Sequence, residues 1–105
     1  VEDYIRAHAE RPISLGDLAA VAGVSGRTLQ YGFERHRAYS PLQFLRATRL
    51  ERVRQELLRP LPDTSVTSAA MRWGFLHLGR FAAEYRRAFR ESPSQTLQRS
   101  RLRHL

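Results

Sequence analysis

The side chains able to do chemistry in this sequence are above all guanidiniums. Eighteen arginines and no lysine stand against ten carboxylates, a formal charge of +8. A guanidinium is a planar fork of donors that matches phosphate oxygens and the edge of guanine, so this surface suits a polyanion. A GC-rich genome accounts for arginine in place of lysine, but not for the excess positive charge. Other chemistries are poorly served. His8, His36, His77 and His104 lie far apart, no His-x3-His pair or cysteine occurs, and no glycine-rich loop ends in lysine. A metal site, a cofactor cradle or a nucleophilic catalyst is therefore not expected. The lack of cysteine fits a reducing cytoplasm, and no apolar run of about eighteen residues is present to span a membrane.

The elements that must position these arginines are written twice. Ser14 to Ser25, with Gly23 near its end, is followed by Leu29 and Phe33 and closes at Ser40-Pro41. Ser65 to Phe75, with Gly74 near its end, is followed by Phe81 and Tyr85 and closes at Ser92-Pro93. Gly23 and Gly74 are 51 residues apart and Leu29 and Phe81 are 52 apart, so the second copy has one residue more between glycine and helix. Each copy reads as capped helix, glycine turn, second helix, the grammar of a helix-turn-helix. Two such units in one basic chain suggest a clamp on DNA.

The periodicity is helical throughout. Val1, Tyr4, Ile5, His8 and Ala9 share one face of an opening helix that Pro12 prevents from continuing, with Glu2, Asp3, Arg6 and Glu10 outside. Ser14 caps the next helix, Asp17 completes a capping box, and Leu15, Leu18, Ala19 and Ala22 form its inner face. Gly23 supplies the positive φ of the turn, and Ser25 caps the helix that carries Leu29 and Phe33. Ser40-Pro41 opens the longest element, from Leu42 to Arg59, with Leu42, Leu45, Leu50, Val53, Leu57 and Leu58 as its apolar positions. Arg46, Arg49, Arg52 and Arg54 interrupt these; some are expected to pair with Glu51 and Glu56 along the helix, leaving one or two for phosphate. Pro60 and Pro62 end it, and Thr64 or Ser65 restarts the second unit. Arg99, Arg101 and Arg103 read as a basic tail beyond Pro93, a backbone contact or a solvated end.

These ordered motifs resemble the DNA-binding domain of the AraC/XylS transcription regulators, above all the string Trp73-Gly74-Phe75-x5-Phe81-x3-Tyr85-Arg-Arg-x-Phe89-x2-Ser92-Pro93. The resemblance runs from about Val1 to about Arg99. It implies an all-α fold of about seven helices, a homeodomain-like pair. Residues 1–40 are expected to form the first helix-turn-helix subdomain, 41–59 a linker helix and 60–105 the second subdomain. It further implies sequence-specific binding of double-stranded DNA, with two recognition helices in successive major grooves. Many relatives carry glycine three residues before each Ser-Pro proline, where this chain has Ala38 and Arg90. Strain, or a differently ended helix, is expected at both, since a Cβ in a left-handed backbone costs on the order of 1 kcal/mol.

Removing the inward Leu29 and Phe33 leaves Gly26, Arg27, Thr28, Gln30, Tyr31, Glu34 and Arg35 outside on the first recognition helix. Its amino-terminal end faces the bases. Arg27, Gln30 and Tyr31 are the candidate readers, and they coincide with the family's base-reading positions. Arg27 can fork onto guanine, Gln30 can pair with adenine, and Tyr31 can bond a base or a phosphate. In the second unit the family's reading positions fall on Leu78, Gly79, Arg80 and Ala83, so Arg80 is the single long polar reader; Leu78 and Ala83 can meet thymine methyl groups. Thr28, Arg35, His77, Arg86 and Arg87 are the candidate phosphate contacts, His77 alternatively a helix cap. Trp73 occupies the position of Ala22 and is read as core rather than as a base-stacking platform.

The competing reading is a helical protein-interaction module that docks a polymerase subunit or an inhibitor. RNA is disfavoured, because the deep, narrow A-form major groove does not admit such a helix. By analogy with the family, the protein is a cytoplasmic, nucleoid-associated regulator, an activator rather than a repressor. RNA polymerase is an expected partner, and a sensing or dimerisation domain is expected upstream of Val1.

Overall fold

The computed structural model describes residues 1–37 and 39–103. Among these the chain forms seven helices and no strand: α1 (Glu2–His8), α2 (Leu15–Ala22), α3 (Gly26–Arg37), α4 (Pro41–Leu58), α5 (Val66–Arg72), α6 (Leu78–Phe89) and α7 (Pro93–Arg103). The all-α expectation is met. None of the helices is long and apolar enough to cross a membrane. The chain divides into two compact units, Val1–Arg49 and Leu50–Leu105, so α4 lends its first half to one and its second half to the other.

In the first unit Ile5 of α1 and Ala9, which caps its carboxyl end, are completely buried, as the periodicity requires. The carbonyls at its carboxyl end have no helical partner. Arg49 supplies one: its Nε donates to the Ala9 carbonyl at 2.8 Å and its Nη2 to that of Arg11 at 2.6 Å. This arginine is therefore spent on the fold. α2 starts in the expected capping box, with Ser14 Oγ accepting from Asp17 N at 3.1 Å and Asp17 Oδ2 accepting from Ser14 N at 2.9 Å. Leu18 and Ala19 are buried beneath it, but Ala22, read as inward, is exposed because α2 gives way to the glycine turn at that residue. α4 is capped by Ser40 and Gln43 in the same reciprocal manner. Its first apolar residue, Leu42, is exposed rather than inward. The seam begins instead at Pro41 and Leu45, four residues apart on one face.

The second unit holds a continuous core of Leu50, Val53, Leu57, Ala69, Ala70, Phe75, Phe81, Tyr85 and Leu97, with Val66, Trp73 and Phe89 packed against it. Phe75, Phe81, Tyr85 and Phe89 stack in sequence with ring centroids 4.9, 5.8 and 4.7 Å apart. Such pairs contribute about 0.5–1.5 kcal/mol each beyond their burial. Ser65, not Thr64, caps α5, in a box with Ser68. Trp73 is half-buried and packed on the core, although its counterpart Ala22 is exposed, with Arg52 5.7 Å over its ring and its indole N–H donating to Glu56, which also pairs with Arg72. Glu56 thus bridges to α5, a use that the spacing along α4 did not foretell. Arg54 lies 5.0 Å over the Phe89 ring.

Arg99, Arg101 and Arg103 are not a tail. All three lie within α7. Arg99 forms a forked pair with Glu91, and Arg101 donates to the Thr64 carbonyl. Arg90 ends α6 with φ 63°, the single non-glycine residue in the left-handed region among the described residues, so the strain expected there is present. The matching expectation at Ala38 lies outside the described residues, as does His104.

Candidate nucleic-acid interface

The two turns that aim the recognition helices are built alike. In the first, Gly23 at φ 72° lets its N–H reach the Ala20 carbonyl at 3.2 Å and the Val24 N–H reach that of Ala19 at 3.1 Å. In the second, Gly74 at φ 88° places its N–H on Met71 at 3.1 Å and the Phe75 N–H on Ala70 at 2.9 Å. These nested bonds satisfy helix-end carbonyls and redirect the chain within a few residues. The next helix then starts two residues after Gly23, on Ser25, but three after Gly74, on His77. The additional residue of the second copy is Leu76. It is 82% exposed.

On α3 the buried Leu29 and half-buried Phe33 fix the inward face, and Arg27, Thr28, Gln30, Tyr31, Glu34 and Arg35 are all exposed. Ser25 Oγ accepts from the Thr28 N–H at 3.1 Å and lies 2.9 Å from the Thr28 hydroxyl, so Thr28 sits in the first turn. Gln30 Nε2 donates to Glu34 Oε1 at 3.3 Å, and Arg35 Nη1 donates to the Tyr31 hydroxyl at 3.3 Å. Each contact has a consequence. Gln30 keeps its amide oxygen and its second N–H for a partner. Tyr31 accepts from Arg35, so its own proton is free to be donated outward. The helix therefore offers a fork, an amide and a hydroxyl donor along one exposed face.

On α6, Phe81 and Tyr85 are buried and Phe89 partly so, which leaves Leu78, Gly79, Arg80, Ala83, Arg86 and Arg87 exposed. His77 is the cap: its Nδ1 accepts from the Arg80 N–H at 3.1 Å. An accepting Nδ1 in a neutral ring puts the proton on Nε2, so the same side chain retains an outward donor. The cap and phosphate readings of His77 are compatible in one tautomer. Sequence reasoning passed over Leu76, although the extra residue of the second copy was a signal for it.

The charge is unevenly divided. The first unit has seven arginines against five carboxylates, the second eleven against five, formal charges of +2 and +6. The unit whose α3 exposes Arg27, Gln30 and Tyr31 thus carries the smaller excess, and the unit whose α6 opens on Leu78 and Gly79 carries the larger.

Residues 18–99 match the family model described as a helix-turn-helix domain. Over 96 residues, 90% of its length, the chain is 45% identical to the probable thc operon regulatory protein of Rhodococcus erythropolis. Over 98 residues, 92% of its length, it is 44% identical to a Pseudomonas putida protein described as XylDLEGF operon transcriptional activator 2. The chain spans 29% and 62% of the lengths of these relatives. Among solved structures it resembles a probable AraC family transcriptional regulator from Rhodopseudomonas palustris, at 43% identity and a TM-score of 0.90 over 94% of this chain and 92% of that one. It is also similar to the DNA-binding domain of the global transcriptional factor AdpA in complex with a target DNA, at 28% identity and a TM-score of 0.79 over 96% of this chain and 89% of that one. With its two glycine turns, its two exposed recognition helices and these relatives, the chain belongs to the AraC/XylS family of transcription regulators, as its helix-turn-helix domain that binds double-stranded DNA.

Proposed function

We propose that α3 and α6 enter successive major grooves on one face of a duplex, and that the two units divide the work of recognition. Arg27, Gln30 and Tyr31 read base edges in the first half-site. Leu78, Gly79, Arg80 and Ala83 face the bases of the second. Thr28, Arg35, His77, Arg86 and Arg87 hold phosphates, which fixes register without specifying sequence. The observation that carries this reading is the repeated turn: the same nested hydrogen bonds at Gly23 and Gly74 each lead into a twelve-residue helix whose outward face is exposed.

The intact regulator, on this reading, activates transcription, as the name of the Pseudomonas putida relative says of that protein. It works in the cytoplasm on nucleoid DNA, contacts RNA polymerase, and carries a separate sensing or dimerisation domain. The chain is a binding module rather than a catalyst. Residues 1–40 and 60–105 serve as the two reading subdomains, with 41–59 linking them. Footprinting with this chain is the test: one chain per site should protect one face over two adjacent turns. Protection of a single groove, or two chains per site, rejects the reading.

A further inference from the structure

We infer that the amino end of α6 is a reader of the C5-methyl group of pyrimidines, so that it responds to 5-methylcytosine as it does to thymine. The inference rests on the proposal that α6 lies in the major groove, and it assigns the chemistry found there. Leu76 and Leu78 flank the cap residue His77, with 82% and 39% of their surface exposed. Neither has a place in the core of the unit. Leu76 is the residue by which the second turn exceeds the first, so it is an addition to the helix-turn-helix frame rather than part of it.

Gly79 points the same way. A Cβ at this position would meet nothing closer than the His77 ring at 3.8 Å, an ordinary contact, and its φ does not lie in the left-handed region. The fold therefore has no need of glycine here, although glycine weakens a helix relative to alanine. The missing side chain leaves the helix backbone open to close approach from outside the protein. Ala83 continues the face one turn on. The occupant is fixed by charge: Arg80, Arg86 and Arg87 are exposed on the same helix, in the unit of formal charge +6. An apolar tip within a cationic surface matches an apolar group set among phosphates. In the major groove that group is the C5-methyl, carried by thymine and, when cytosine is methylated, by 5-methylcytosine.

The test uses duplexes enriched by this chain from a random pool. Each thymine of the preferred duplex is replaced in turn by deoxyuridine, which removes the methyl and nothing else. One or two positions should then lose about fourfold in affinity, the worth of one buried carbon. At those positions a cytosine–guanine pair should bind more weakly than the same pair with 5-methylcytosine. Leu76→Ala and Leu78→Ala, both at exposed positions, should erase the deoxyuridine penalty there, while any deoxyuridine penalty at other positions of the duplex persists. Deoxyuridine tolerated at every position, or a penalty unchanged in both variants, overturns the inference alone. Failure to enrich any duplex overturns the DNA reading, and the inference with it.

Discussion

The buried hydroxyl of Tyr85 donates a 2.8 Å hydrogen bond to Thr96 Oγ1, tying the second recognition helix to α7. Thr96 in turn donates to Glu91, which is forked to Arg99. The inward face of α6 is thereby fixed by a polar chain as well as by the aromatic stack. Tyr85→Phe removes one donor and leaves Thr96 bonded to Glu91, so a loss of about 1 kcal/mol is expected. Thr96→Val strands the Tyr85 hydroxyl in the core, which costs about 1–3 kcal/mol. Urea unfolding should rank the two in that order, and the reverse ranking would show that the hydroxyl finds another acceptor.

Glu91 predicts the acid behaviour of the domain. Its hydrogen bonds from Arg99 and then from Thr96 hold its carboxyl below the usual carboxylate range. A lowered native pKa means that the unfolded chain takes up this proton first. The stabilisation is therefore complete above the ordinary carboxylate range and is lost as pH falls through the lowered native value. Glu91→Gln should be less stable than the parent at neutral pH and should converge with it in acid. Parallel stability curves across the acid range would refute this.

Arg90 holds a left-handed backbone at φ 63°, where glycine has no Cβ to penalise. Arg90→Gly should therefore stabilise the domain, by up to about 1 kcal/mol after the added freedom of the unfolded chain is deducted. For a chain of this size that raises the melting temperature by roughly 4–8 °C at most. A lower melting temperature would mean that the arginine side chain stabilises more than its backbone costs.

Arg27→Ala and Gln30→Ala should each cost about 1–3 kcal/mol on the preferred duplex and little on random DNA, because forks onto guanine and adenine discriminate between bases. Arg86→Ala should weaken all sequences alike and lower the salt slope by about one. Equal losses on specific and random duplex for Arg27→Ala would move that residue to the phosphate class. Binding titrations at several salt concentrations separate the cases.

The division of charge predicts unequal half-sites. The second unit has the larger excess but, of the residues proposed to face bases there, only Arg80 can fork onto a base edge, so its half-site should carry less sequence information and more salt dependence. Sequencing duplexes selected from a pool randomised in each half gives the comparison. Higher information content under the second unit would reverse the assignment.

The sequence by itself determined those features that depend on neighbours within a few residues. Ser14 with Asp17, Ser25 ahead of α3, Ser40-Pro41 opening α4 and the positive φ of Gly23 were all legible, because a cap or a glycine turn is satisfied by backbone only two to four residues away. The inward faces of α3 and α6 were legible for a similar reason, since a helical period repeats locally. Tertiary structure alone decided the rest. Arg49 caps carbonyls 38 and 40 residues distant, Arg101 reaches Thr64 37 residues away, and Glu56 is drawn to Arg72 and Trp73, 16 and 17 residues on. Those partners depend on how the helices pack, which no spacing along one helix encodes. Leu42 and Ala22 fit an apolar period yet stay exposed, because a period marks a stripe on a helix while the neighbouring helices decide how far along it burial extends.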